Sequence, residues 1–434
     1  SCQRVLVDVC YDRCGSFVRL NTCHWLVYFC LGLINPRFIG NIMNIRLLLL
    51  VTSLFFSGYS LASDATNSLL VTKQKFSLDN FQTFGGKNIE QVNIGWEAYG
   101  TLNKDKSNAI LITHFFSGNS HAAGKYNESD ALPGYWDSII GPGKAIDTNK
   151  YYVISSDTLV NASAFDKNVI TTGPATIDPK TGKPYGLTFP VVTIRDFVNV
   201  QKSLIDSLGI NKLHAVVGAS MGSLQAIEWS VAYPDMVERM VSVIGASEMD
   251  AWLVAGLESW AAPIKEDPNW NGGDYYQGEA PKRGLQLSLA SITKDAMHPA
   301  IFNASNPNHQ AINKAALNDI NANFPVVDWL YAAAGAKLDI IDANHILYLV
   351  RANQLFIAGH NNDLAGSLKK ITAKTLFLPA ANDLVLFPSM AKKAHDLIGE
   401  NSQYEEIQGM WGHLDGLFSI SSKAKTISAF LEAE

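Results

Sequence analysis

The pentapeptide Gly218-Ala219-Ser220-Met221-Gly222 places a serine between two glycines. A serine hydroxyl becomes a nucleophile when a base takes its proton and a third group orients that base. The string alone says little, since glycine and serine are common enough for roughly one chance occurrence in several chains of this length. Its surroundings say more. The apolar run "KLHAVV" (212–217) precedes it, and the helical pattern "SLQAIEWSVAYP", ended by Pro234, follows it. A strand-to-helix turn of this kind holds the serine hydroxyl clear of the sheet, and the flanking glycines relieve crowding in the turn. The start of the helix supplies amides and a dipole that favour a developing oxyanion. The competing reading is an ordinary tight turn that contains a serine.

Chain order narrows the search for a base and its orienting acid, which in such folds follow the serine. Asp383 ends the apolar run "TLFLPAAND", and His413 lies in the glycine-flanked loop "GMWGHLDG" beyond the next strand. Both then fall at the C-terminal ends of strands, on the same rim as Ser220. Asp415 is the alternative acid; two residues from His413, it is better suited to contact substrate or backbone. Of the other histidines, His395 sits in a charged helix, and His345 and His360 belong to helical stretches in or near an insertion. His114 ends the "ILIT" run near the rim but precedes the serine, so it is retained as a substrate-binding candidate. Ser120, in "GNSHA", imitates the motif, yet no helical pattern starts directly after it. An oxyanion site requires two backbone amides. Met221 offers one, and the loop "HFFSG" (114–118) offers the other, best placed at Phe116.

These residues need a scaffold. Strand-like runs occur at 92–100, 108–116, 150–157, 212–217, 237–246 and 373–383, with a shorter one at 402–409. Helical patterns at 195–209, after Ser220, at 390–399 and toward Phe430 alternate with them. Continuous apolar strands alternating with helices predict an α/β fold with a mostly parallel central sheet and helices on both faces. Residues 249–345 interrupt this rhythm, being rich in Ala, Asn and Trp with helical fragments, and read as an inserted helical lid. The core is then split into 63–248 and 346–434.

Composition excludes several classes. The 434 residues are 47% hydrophobic with a net charge of −6 and no long basic run, which argues against nucleic acid as a partner. All five cysteines lie within the first 30 residues, with irregular spacing and no accompanying histidine pattern. No metal is therefore expected, and the body lacks a cysteine nucleophile. "GPGKAID" (141–147) lacks the third glycine of a dinucleotide turn and the Lys-Ser/Thr pair of a P-loop. From Met43 the sequence has the pattern of a cleavable signal peptide: Arg46, an apolar run from Leu47 to Phe56, then Ser60-Leu61-Ala62. The apolar run falls short of the roughly 20 residues of a membrane span. The expectation is a leader at 43–62 preceded by an extraneous stretch at 1–42, and an exported protein with no stable span after cleavage. If the leader is unused, the protein is cytoplasmic.

Over most of 92–434 the chain resembles the homoserine O-acetyltransferase family, a branch of the α/β-hydrolase fold. The resemblance is carried by "EAYGTLN", "ITHFFSG", "GPGKAIDTNKYYVIS", "TGPATIDPKTGKPYG", "FPVVTIRD", "VVGASMGSLQAIEWSVAYPD", "DANHILYLVRA", "NDLVLFP" and "GHLDGLF". It implies an acyl-serine on Ser220, with Asp383 and His413 completing the triad. It also implies a helical lid, and Phe116 and Met221 as oxyanion donors. No bound cofactor is implied; acyl-CoA would enter as co-substrate. The partners are a small-molecule acyl donor and acceptor, with a homodimer left open. Two departures stand out. The family places an Asp directly after the catalytic His, where this chain has Leu414, with Asp415 one residue later. It also places arginine and tyrosine in the lid, where Leu285–Thr293 has neither. The reading that follows is transfer of the acyl group from a thioester to a small alcohol, with hydrolysis by water in an exported esterase as the alternative. A catalytically inert binding member of the fold is a third reading.

Overall fold

A computed structural model of the chain describes residues 69–307 and 314–433. The leader-like segment 43–62 and the stretch 1–42 lie outside the described residues. Among the described residues no helix is long and apolar enough to cross a membrane.

Five-residue apolar runs build the centre. Strand β3 (Ala109–Thr113) and strand β5 (Ala215–Ala219) are buried at every position. A strand covered on both faces needs apolar side chains on both, which explains why these segments do not alternate. With β1 (Gln74–Gln82), β2 (Asn88–Tyr99), β4 (Tyr152–Ser156), β6 (Arg239–Val243), β7 (Lys374–Leu378) and β8 (Ser402–Tyr404) they form one eight-stranded sheet. Its order is β1-β2-β4-β3-β5-β6-β7-β8. β2 runs antiparallel to both its neighbours, and all other pairings are parallel. The half-exposed β1, with its alternating burial, is the one strand of this sheet that periodicity left unread.

Helices cover the sheet. Helix α1 (Ile194–Ser207) starts at a capping box, in which Thr193 and Asp196 satisfy each other's backbone amides. Helix α2 (Met221–Ala232) is buried on all sides through Val231. Such a helix must be wrapped by protein. Its one acid, Glu228, is neutralised by the Arg195 guanidinium and by Gly359 N–H at 2.7 Å. Helix α7 (Pro388–Ile398) and helix α8 (Ala424–Glu432) complete the framework.

Between β6 and β7 the described residues add no strand to the sheet. Helix α3 (Ala251–Lys265) is capped by Asp250, which accepts Leu253 N–H at 2.9 Å. It packs against α4 (Lys282–Ala296) and α6 (Ala343–Gln354), while α5 (Pro325–Gly335) packs on α4. The α3–α4 approach is close: a Cβ on Gly284 would collide with the Pro263 carbonyl. These helices stand over the C-terminal ends of the strands, where the site lies.

Candidate active site

β5 ends at Ala219 and α2 begins at Met221, so Ser220 is the whole connection. It adopts φ 55° and ψ −121°, a conformation that costs a non-glycine residue on the order of 1–3 kcal/mol. The surroundings hold it there. Ser220 N–H donates to Val243 O at 2.9 Å, and Ser220 O accepts from Ser223 N at 2.8 Å. The two glycines are required by close approach. A Cβ on Gly218 would overlap the Gly222 carbonyl, and one on Gly222 would overlap the Thr113 carbonyl. Thr113 Oγ1 ties the same turn to β3 through Gly222 O at 2.7 Å.

Ser220 Oγ lies 2.8 Å from His413 Nε2, and His413 Nδ1 lies 2.7 Å from Asp383 Oδ2. The Asp383 carboxylate fixes the tautomer: Nδ1 carries the proton and Nε2 accepts from the serine. The other oxygen of Asp383 accepts Val385 N–H at 2.8 Å and Leu386 N–H at 3.0 Å, which holds the carboxylate in place. All three residues are at most 9% exposed. Ser220 and His413 open on a cavity of about 580 Å³. Its walls are largely apolar, with Phe116, Trp252, Leu257, Trp260, Leu386 and Leu414 prominent. Phe116 and Met221 both line it, and neither amide donates to a protein acceptor among the described residues. Trp260 stacks edge-on against Phe116 at 5.7 Å and donates its indole N–H to Asp295 at 2.8 Å. Lys294, at the same wall, is paired with Asp295 at 3.1 Å.

The two residues read as substrate contacts are elsewhere. His114 is 1% exposed and does not line the cavity. It directly follows β3, but its ring turns inward to Phe115 O at 2.8 Å and Asn161 Nδ2 at 3.3 Å. Asp415 is fully buried. Its carboxylate accepts Trp411 N–H and Gly412 N–H, both at 3.1 Å, and Ser419 O–H at 2.5 Å. No oxygen is left facing substrate, because the turn after His413 curls Asp415 back under its own loop.

The competing residues have structural partners. Ser120 is buried, with its hydroxyl on the Lys73 ammonium and its N–H on Asp157 Oδ1 at 2.8 Å. Lys73 in turn meets Glu97 at 2.9 Å. Burial alone would raise the Glu97 carboxyl, but His121, Lys73 and Tyr126 outweigh it and hold it at about 2. His345 bridges Asn161 O and Ala175 N–H. His360 accepts Arg195 N–H, and burial pushes it down to about 4. His395 is half-buried and bonded to Ser402 Oγ at 2.8 Å. No group of three His, Cys, Asp or Glu residues among the described residues is arranged to hold a metal ion. Sequence reasoning passed over Asn161 and Gln225, two neutral amides with no motif. Only the position of Gln225, one turn after Met221 on the same helix, could have pointed to it.

Residues 154–419 match the family described as alpha/beta hydrolase fold. The homoserine O-acetyltransferase of Methanococcoides burtonii is 38% identical over 361 residues, covering 81% of this chain and 71% of that protein. The chain belongs to the homoserine O-acetyltransferase family. It is an enzyme of the α/β-hydrolase fold, as the strand order and the family both state. Among solved structures of this type, the homoserine O-acetyltransferase of Bacillus anthracis superposes with a TM-score of 0.81 at 36% identity. That match covers 84% of this chain and 98% of the other. Esterase E22 superposes with a TM-score of 0.82 at 56% identity, covering 84% of this chain and all of its own.

Proposed function

We propose that the chain is a serine-nucleophile acyl-transfer enzyme that passes its acyl group to water, a carboxylic ester hydrolase on a homoserine O-acetyltransferase framework. His413 Nε2 takes the proton of Ser220 as Oγ attacks the ester carbonyl carbon. Asp383 keeps the imidazole oriented and stabilises the imidazolium. The Met221 and Phe116 amides receive the oxyanion. As the tetrahedral adduct collapses, His413 returns the proton to the departing alkoxide, leaving an acyl-serine. Water, deprotonated by His413, then releases the acid and restores Ser220.

The observation that carries this reading is the aligned Ser220–His413–Asp383 chain opening on an apolar cavity. An amino-acid acceptor has a carboxylate and an ammonium to satisfy, and a bidentate arginine is the usual partner of the first. No arginine lines this cavity among the described residues, and its one lysine is already paired with Asp295. Leu414 gives a hydrocarbon wall beside His413, where an ammonium would need a carboxylate. The greater identity to esterase E22 than to the acetyltransferase of Bacillus anthracis points the same way.

The second reading, transfer from an acyl thioester to a small alcohol, rests on the family itself. One assay separates the two. The protein is given simple acetyl esters, then acetyl-CoA with homoserine, with Ser220→Ala as control. Ester hydrolysis far above transfer supports the hydrolase; the reverse rejects it. Stoichiometric labelling of Ser220 by a phosphonate distinguishes both from an inert binding protein. We also infer export from the leader-like segment beginning at Met43; tagged protein retained uncleaved in the cytoplasm would refute it.

A further inference from the structure

Two peptide groups must point the same way for an oxyanion to be held, and one of them lies in a loop. Met221 N–H is fixed by the start of α2. Phe116 N–H belongs to the loop after β3 and has no helix to set it. A peptide is planar, so the direction of the Phe115 carbonyl dictates the direction of the Phe116 N–H opposite it.

That carbonyl is held from inside the protein. His114 Nδ1 meets Phe115 O at 2.8 Å, and Gly118 N–H donates to the same oxygen at 2.9 Å. The ring's protonation follows from its neighbours. Asn161 Oδ1 accepts Ser163 N–H at 3.0 Å, and Asn161 Nδ2 donates to Gly118 O at 2.9 Å. The amide orientation is thereby settled, and Asn161 presents an N–H to His114 Nε2 at 3.3 Å. Nε2 must accept, so Nδ1 carries the proton and donates to Phe115 O. Burial lowers the affinity of this ring for a second proton. One further amide joins the two halves of the site: Gln225 Nε2 donates to His114 O at 3.3 Å and to Met221 O at 3.2 Å.

We propose that His114 is a positioning residue that aims the Phe116 amide into the oxyanion site, with Asn161 locking its tautomer and Gln225 holding its backbone in register with Met221. This rests on the acyl-serine reading above. The effect belongs to the transition state, where charge appears on the oxygen, and so should fall on kcat.

Asparagine and glutamine separate the two ring nitrogens. The Asn amide nitrogen reaches the position of Nδ1, whereas the Gln amide nitrogen reaches that of Nε2. Hydrolysis of a p-nitrophenyl acyl ester is measured per phosphonate-titrated serine, which counts only folded, competent sites. His114→Gln should lose on the order of 10²-fold in kcat, with KM changed by less than about 3-fold. The inhibition constant of a boronic acid that forms a tetrahedral serine adduct should rise in parallel. His114→Asn should stay within about 5-fold of the native kcat. Equal kcat in His114→Gln and the native enzyme, or a loss confined to KM, overturns the assignment. The native protein offers a test that needs no folded His114→Gln. In ¹⁵N-histidine spectra, with the resonance identified by its loss in His114→Asn, His114 should be the Nδ1–H tautomer; an Nε2–H tautomer overturns the proposal. Failure of Ser220 to label in the native enzyme overturns the acyl-serine reading and this one with it. Labelling with an unaffected His114→Gln overturns this one alone.

Discussion

The carboxylate of Asp415 accepts the backbone N–H of Gly412 at 3.1 Å, and so braces the residue immediately before His413. A residue that looked like a substrate contact is a strut for the loop that carries His413. Replacing it with Ala strands the buried Gly412 amide and the half-buried Trp411 amide and Ser419 hydroxyl, at about 1–3 kcal/mol for a fully buried unsatisfied group and less for the others. Asp415→Ala should therefore lower the urea unfolding free energy by about 3 kcal/mol, with Asp415→Asn intermediate. An unchanged urea midpoint in Asp415→Ala would contradict the strut.

Ser220 holds a backbone conformation that glycine adopts more readily. Ser220→Ala and Ser220→Gly should both abolish turnover and phosphonate labelling. They should differ in stability, the Gly protein unfolding at a free energy about 1 kcal/mol above the Ala protein in denaturant. The opposite order would mean that the elbow is not strained.

Asp383→Asn keeps the shape of the triad but replaces the acceptor that fixes the His413 tautomer. Its kcat should fall by roughly 10³–10⁴-fold, while serine labelling slows without being lost. Pre-steady-state acylation rates would show it; a loss under tenfold would assign the orienting role to another acid.

Leu414→Asp puts a carboxylate on an apolar wall of the cavity. Turnover of apolar esters should drop by about tenfold, and amino alcohols should begin to compete with water as acceptors. Product ratios by mass spectrometry at fixed ester concentration measure both.

Glu97 supplies a pH test of stability. Its carboxyl is held at about 2 in the folded protein, against 4.5 ordinarily. The group therefore stabilises the fold fully above about pH 4.5, and that contribution is lost as pH falls toward 2. Glu97→Gln should lower stability at neutral pH by roughly 3 kcal/mol and flatten the acid limb between those values. Denaturant titrations at a series of pH values read both; an unaltered acid limb would remove Glu97 from the account.

What could be read from the chain was what repeats or stands in order. The unbroken apolar runs of β3 and β5, the glycines around Ser220 and the succession of Asp383 and His413 are local signals; the fold makes strands of the first and brings the three side chains into hydrogen-bond contact. His114 and Asp415 misled because adjacency along the chain does not reveal which way a side chain turns. His114 follows an inward-facing strand end, and Asp415 sits where a tight turn reverses. Asn161 left no trace and Gln225 only its place on the helix, since an amide's importance here lies in which groups it bridges, and those are settled only by the packed fold. β1 escaped for a related reason: it is exposed at one edge, so its burial pattern is too faint to distinguish it from a loop.

Ser220 and His413 are 193 residues apart along the chain, with the whole helical cover between them. During synthesis Ser220 therefore emerges long before His413. A chain that stops within the cover thus carries Ser220 without Asp383 or His413. His413 reaches Ser220 only when the segment with Asp383 and His413 closes against the sheet, so the activity proposed above would itself report that the last strands have docked.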